Sequence, residues 1–219
     1  MNVIAAGGFA LAGALAGIPV AAIAYSAPAH GGLRIPRGWW HGAPARRSTS
    51  ASISLLTGAT SGIVTWSLTA SPVLPAFWIF AVLGVGLAII DLRRHRLPHA
   101  ITGILAGASV VCFTIAVALG ASPAPLLQAL AAGLITASVL LMIALALPGQ
   151  LGLGDVVFSG VIALNLGWLS MGAVMTAIVT GFLIQGGVAL VARTSGATQE
   201  TLSLGPALLA GWLLGALAS

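Results

Sequence analysis

Apolar residues run through this chain in long blocks separated by short polar breaks. Eight blocks approach the ~20 residues that cross a bilayer as an α-helix. They lie near residues 2–25, 52–70, 74–91, 99–119, 125–147, 155–169, 171–192 and 201–217, the sixth being the shortest. One long polar segment, residues 26–51, interrupts them. The pattern predicts an all-α fold, a polytopic membrane helical bundle of about eight transmembrane helices, as a single domain over residues 1–219. The first block lacks a basic stretch ahead of its apolar run, which continues to about Tyr25. It is therefore expected to stay as a transmembrane helix rather than act as a signal peptide.

Spacing within the blocks adds detail. Gly13/Gly17, Gly58/Gly62, Gly103/Gly107 and Gly211/Gly215 all stand four apart. Such pairs let helix backbones approach closely in lipid, and all four are expected to mark packing faces. Gln128, Asn165 and Gln185 are polar groups inside apolar blocks. They are expected to hydrogen-bond between helices.

Composition strengthens the membrane reading. The chain is 59% hydrophobic and 5% charged, where a soluble domain carries roughly 25% charged residues. So little polar surface cannot cover a water-soluble fold, and the lipid bilayer becomes the expected solvent and partner. The net charge of +5 comes from eight arginines and no lysine, set against Asp91, Asp155 and Glu200. A basic balance can signal nucleic acid, but these arginines sit between apolar blocks, so no nucleic-acid partner is expected. Arg34, Arg37, Arg46 and Arg47 lie in segment 26–51, Arg93, Arg94 and Arg96 follow the third block, and Arg193 follows the seventh. In an eight-helix chain these three connections share one side, which the positive-inside rule makes cytoplasmic. Segment 26–51 is expected to be an irregular basic loop on anionic headgroups, with Trp39 and Trp40 at the interface; substrate docking is the alternative. Cys112 is the only cysteine, which excludes an intrachain disulfide and a cysteine-based zinc cluster. Its place in the middle of a block predicts a small apolar packing role.

The chemistry concentrates in the two aspartates. Asp91 closes the run LGVGLAIID and opens LRRHRLPH, and Asp155 opens the sixth block in LGLGDVVFSG. A carboxylate at membrane depth is costly and points to function. Two close carboxylates cannot both ionise cheaply, so they share a proton. The ionised one can then take a proton from water while the other polarises a scissile carbonyl. Gly152 and Gly154 are expected to permit unusual backbone angles and close approach of a substrate. Asp155 is placed at a helix N-terminus and Asp91 at a helix C-terminus. That difference in polarity predicts that Asp91 holds the shared proton more often.

With these residues in view, the chain resembles the type IV prepilin peptidases, in their short form without an N-terminal zinc and methyltransferase domain. IDLRRHRLPHAI is similar to the family's first motif, an aspartate followed seven residues later by proline, with Asp91 and Leu97-Pro98 matching. GLGDVVFSG is similar to the second motif, GxGD, at Gly152, Gly154 and Asp155. Gly205-Pro206 looks like the Gly-Pro of the family's last helix. The resemblance implies catalysis by Asp91 and Asp155, with Gly152, Gly154, Leu97, Pro98, Gly205 and Pro206 in support. It implies an intramembrane aspartyl endopeptidase with no cofactor and no metal. Its partner would be a type IV or Flp-type pilin-like precursor, cleaved at the cytoplasmic face of a bacterial or archaeal inner membrane. Val157 stands where the family usually has lysine, and His99 where it has Asn or Asp.

Rival chemistries find less support. A zinc metalloprotease needs HExxH, and the only glutamate is Glu200. His95 and His99 stand four apart, but Pro98 between them disfavours a metal-binding helical face. Ser61 in GATSG has no histidine within its block, against a rhomboid-type pair. A presenilin-like GxGD peptidase would use Pro206-Ala207-Leu208, yet its first aspartate typically follows tyrosine, and here Ile90 precedes Asp91. A proton- or ion-coupled transporter would place its carboxylates near the midplane in paired repeats, whereas both aspartates are expected at one interface, Asp91 closing its block and Asp155 opening its own.

Overall fold

The computed structural model describes residues 3–27, 36–68, 71–149, 151–194 and 203–219. His30, Arg34 and Glu200, and with them part of segment 26–51, lie outside the described residues. Among the described residues all regular structure is helical. The order is α1 (Val3–Ser26), a 3-10 turn (Trp39–His41), α2 (Arg47–Ser67), α3 (Leu74–Arg94), α4 (His99–Ala118), α5 (Ala124–Ala146), α6 (Leu153–Gly167), α7 (Met171–Thr194) and α8 (Gly205–Leu217).

The helices follow the apolar blocks, with one informative shift. α2 starts at Arg47, ahead of the apolar run that begins near residue 52. Its hydroxyls make this economical, because they bond to the helix's own carbonyls: Ser52 to Ser48 (3.1 Å), Thr57 to Ile53 (2.9 Å) and Thr65 to Ser61 (2.7 Å). These three hydroxyls are thereby satisfied without leaving the helix.

Among the described residues five helices are long and apolar enough to cross a membrane: α1, α3, α4, α5 and α7. The chain is thus an all-helical, multi-pass membrane protein, with fewer clear spans than the eight expected. α6 and α8 have 15 and 13 residues, or roughly 22 and 20 Å of helix against a ~30 Å hydrocarbon core. They are also the most enclosed elements of their region, with fully buried Phe158, Ile162, Leu166, Leu208 and Trp212. α5 and α7 instead expose leucines, isoleucines and valines such as Leu134, Leu145, Val179 and Leu190. That is the expected face of a helix whose solvent is lipid.

Contacts gather into two compact units, Met1–Ile90 with Pro98–Ala121, and Asp91–Leu97 with Ser122–Ser219. In the first, α1 and α2 lie backbone to backbone. A Cβ on Gly13 would strike the Ser61 hydroxyl, and one on Gly58 would come within 3.0 Å of the Ala10 carbonyl. Ser61 is thus a packing residue, fully buried and without a hydrogen-bond partner. Phe77 of α3 meets Phe113 of α4 with ring centroids 6.4 Å apart, and Cys112 is half-buried beside it. In the second unit α7 packs on α8, where a Cβ on Gly211 would strike the Ala177 carbonyl, and Gly133 of α5 faces Leu164 of α6.

Gly103 and Gly107 break the expectation for paired glycines, because nothing lies within 4 Å of where their side chains would stand. Spacing alone cannot say whether a partner faces the pair, and this side of α4 is exposed. Two of the three intramembrane amides do join helices. Gln128 donates to the Gly167 carbonyl (3.0 Å), and Asn165 accepts from the Trp212 indole N–H (2.9 Å). Gln185 is half-buried on α7.

Candidate active site

Both aspartates fall in the second unit, with the residues that hold them. α3 does not end at Asp91 but runs one turn further, to Arg94. His95 closes it, donating its N–H to the Asp91 carbonyl (2.7 Å) from a left-handed backbone conformation, φ +49°. Asp91 is consequently an in-helix residue and is buried, 4% exposed. Its Oδ2 accepts the backbone N–H of Gly205 at 2.7 Å.

That bond explains why glycine and proline start α8. The first backbone N–H groups of a helix have no partner within it. Pro206, in the first turn, has no N–H to leave orphaned. The N–H of Gly205 is free and is spent on Asp91. A Cβ on Gly205 would lie 2.9 Å from Oδ2 and 3.0 Å from Cβ of Asp91. Only glycine allows this approach without something shifting.

Asp155 sits in the first turn of α6, behind Gly152 as N-cap. Its backbone N–H donates to the Gly152 carbonyl (3.0 Å). Its carboxylate reaches back to the Gly152 N–H, the geometry of a capping box. Asp155 is half-buried, and the charge of Asp91 is close enough to act on it.

The two motifs also touch through an apolar contact. A Cβ on Gly154 would lie 3.2 Å from Cβ of Leu97. The glycines are therefore used differently from the expectation. Gly152 has ordinary extended angles, φ −74° and ψ 142°, and Gly154 is helical. What Gly154 provides is room for Leu97. Pro98 belongs to the other unit, where it caps α4 from an extended conformation and accepts the Ile101 N–H (3.0 Å).

The helix-polarity argument changes as well. Asp155 lies in the first turn of α6, and Asp91 lies against the first turn of α8. Both carboxylates face a helix N-terminus, so α3's own polarity no longer sets them apart.

Two features near the dyad are not visible as motifs. Ser159, one turn after Asp155 on the same helix face, is fully buried, and its Oγ has no hydrogen-bond partner. The Trp212–Asn165 bond ties α8 to α6, the two helices whose first turns meet the aspartates. A polar residue at helical spacing from Asp155 is the signal that would have pointed to Ser159. For the Trp212–Asn165 pair the sequence marks only the amide. Trp212→Phe should remove the donor to Asn165 and lower thermal stability by about 1–3 kcal/mol. Thermal unfolding in detergent checks this, and an unchanged midpoint would show that the bond contributes nothing.

Among the described residues, no three His, Cys, Asp or Glu side chains form a group that could hold a metal ion. No family model matches the chain, and neither does any curated protein or solved structure.

Proposed function

We propose that this chain is an intramembrane aspartyl endopeptidase that removes the leader from a type IV or Flp-type pilin-like precursor, at the cytoplasmic face of a bacterial or archaeal inner membrane. The observation that carries the reading is the convergence of Asp91 and Asp155. They are the only aspartates in the chain and lie 64 positions apart in it. One is buried on a backbone N–H, and the other is half-buried within reach of its charge. In this reading all eight helices belong to the membrane region, with α6 and α8 packed against α5 and α7 of their own unit. The arginine-bearing connections lie in the cytoplasm.

The mechanism follows from a shared proton. The ionised carboxylate of the pair accepts a proton from water as that water attacks the scissile carbonyl. The protonated partner donates a hydrogen bond to the carbonyl oxygen. Val157, where the resembled family carries lysine, is two residues from Asp155 and so on the opposite side of α6, 40% exposed. A change there does not alter the face that bears the carboxylate.

Co-expression with candidate pilin-like precursors tests the assignment, scored as a leader-sized loss of precursor mass. The wild-type chain should cleave a precursor that Asp91→Asn and Asp155→Asn leave intact. Undiminished cleavage by either variant would overturn the proposal.

A further inference from the structure

The dyad leaves one conspicuous surface unused, at the start of α2. Residues 36–46 are not a random loop. Gly38 and Gly42 both take left-handed angles, φ +81° and +77°, and bracket the 3-10 turn Trp39–His41. Such angles are ready for glycine and costly for most other residues. The turn packs on α1, and Gly42 is pressed against Ser50 of α2 and Ile18 of α1. The two indoles lie edge to face, with centroids 6.1 Å apart, and Trp40 lies 5.5 Å from the His41 ring.

This anchored turn holds its large side chains outward. Trp39 is 40% and Trp40 58% exposed. Arg37, Arg46 and Arg47 beside them are exposed too, and no acidic residue occurs anywhere in 26–51 to balance them. Residues of the first turns of α2, which follow Arg46 and Arg47 in the chain, line a groove of about 310 Å³ together with Ile89 of α3. Hydroxyls of Ser48, Thr49 and Ser52 line one part of it, and Ile53, Leu56 and Ile89 another. Along the start of α2 the chain runs from Arg46 and Arg47 through Ser48, Thr49 and Ser52 to Ile53 and Leu56, the order of chemistry along a phospholipid, from phosphate through glycerol to acyl chain. The volume is at the small end for ligand sites, about 300–1,000 Å³. It admits a headgroup and the start of a chain, not a folded partner. A basic leader peptide would be repelled by the same arginines.

We propose that the Trp39–Trp40 turn, Arg37, Arg46, Arg47 and the adjoining α2 groove form a binding site for an anionic phospholipid of the membrane that holds the protein. The indoles lie at headgroup level, where one face is apolar and the N–H is wet. The guanidinium groups take the phosphate, singly or in pairs. The site fastens this end of α1 and α2 to negatively charged lipid. It does not depend on the peptidase reading.

The full-length protein is reconstituted into phosphatidylcholine vesicles containing either brominated phosphatidylglycerol or the same fraction of brominated phosphatidylcholine, and tryptophan quenching is compared. The brominated anionic lipid should quench more. The excess should vanish in Trp39→Phe/Trp40→Phe, and the relative affinity for the anionic lipid should fall about tenfold or more in Arg37→Gln/Arg46→Gln/Arg47→Gln. Equal quenching of the arginine variant and the wild type by brominated phosphatidylcholine shows that the variant is inserted. Should it not insert, the wild type at high ionic strength replaces it, and the excess should again be lost. No excess in the wild type, or an excess that survives both arginine neutralisation and salt, overturns the proposal. So does shielding of Trp39 and Trp40 from both lipids that grows with protein density, which would mean that a second copy covers the turn.

Discussion

Asp91→Asn should abolish cleavage and leave the protein folded, whereas Asp91→Ala should lose activity and stability together. The difference comes from the 2.7 Å bond between Gly205 N–H and Asp91 Oδ2. An asparagine carbonyl oxygen can still accept that N–H, so α8 keeps its anchor. It cannot exchange a proton as a carboxyl group does, so the general acid–base contribution, about 10²–10⁴-fold, is lost. Alanine removes the acceptor altogether. The Gly205 N–H is then buried without a partner, at a cost of about 1–3 kcal/mol. Asp155 is half-buried and caps its own helix, so its alanine variant should lose activity with a smaller loss of stability. Cleavage assays with thermal unfolding of the three variants check the pattern. Wild-type cleavage by Asp91→Asn would remove the aspartate from the mechanism, and equal stability of Asp91→Ala and Asp91→Asn would show that the bond to Gly205 holds nothing.

What the sequence made legible was local, and what it hid was between distant residues. The apolar blocks marked the helices of the described residues, five of them long and apolar enough to cross a membrane, because length and apolarity are one-dimensional properties. The start of α2 escaped because it is polar, and a bond such as that of the Ser52 hydroxyl to the Ser48 carbonyl, made inside the helix, is not registered by hydropathy. The two aspartates were found by their cost. Their environment was not, because the partner of Asp91 is 114 positions away in sequence. The polarity of α3 alone therefore leaves out the N-terminus of α8 that faces Asp91. Gly154 was recognised as a motif glycine, but its contact with Leu97 depends on how two motifs pack. The paired glycines divide in the same way: Gly211 meets α7, while Gly103 meets nothing.

That last contrast supplies the sharpest test of how α8 serves the site. Alanine is favoured over glycine inside a helix by about 0.8–1.0 kcal/mol, so helix propensity alone predicts that Gly205→Ala is harmless or better. The contacts predict the reverse. The new Cβ would stand 2.9, 3.0 and 3.2 Å from Oδ2, Cβ and Cγ of Asp91. These atoms belong to a short, buried side chain on a helix, not to the free end of a flexible one. α8 cannot easily retreat either, because Gly211 lies against the α7 backbone and Trp212 is bonded to Asn165 of α6. The strain should cost about 1–3 kcal/mol. A displaced carboxyl group should reduce cleavage by on the order of a hundredfold, since small misplacements of reacting groups carry penalties of that size. Gly103→Ala provides the matched control, a helical glycine with nothing within 4 Å. It should keep full activity and gain stability by up to about 1 kcal/mol. If both alanines behave alike, Gly205 is only a helix residue, and the N-terminus of α8 has no part in placing Asp91.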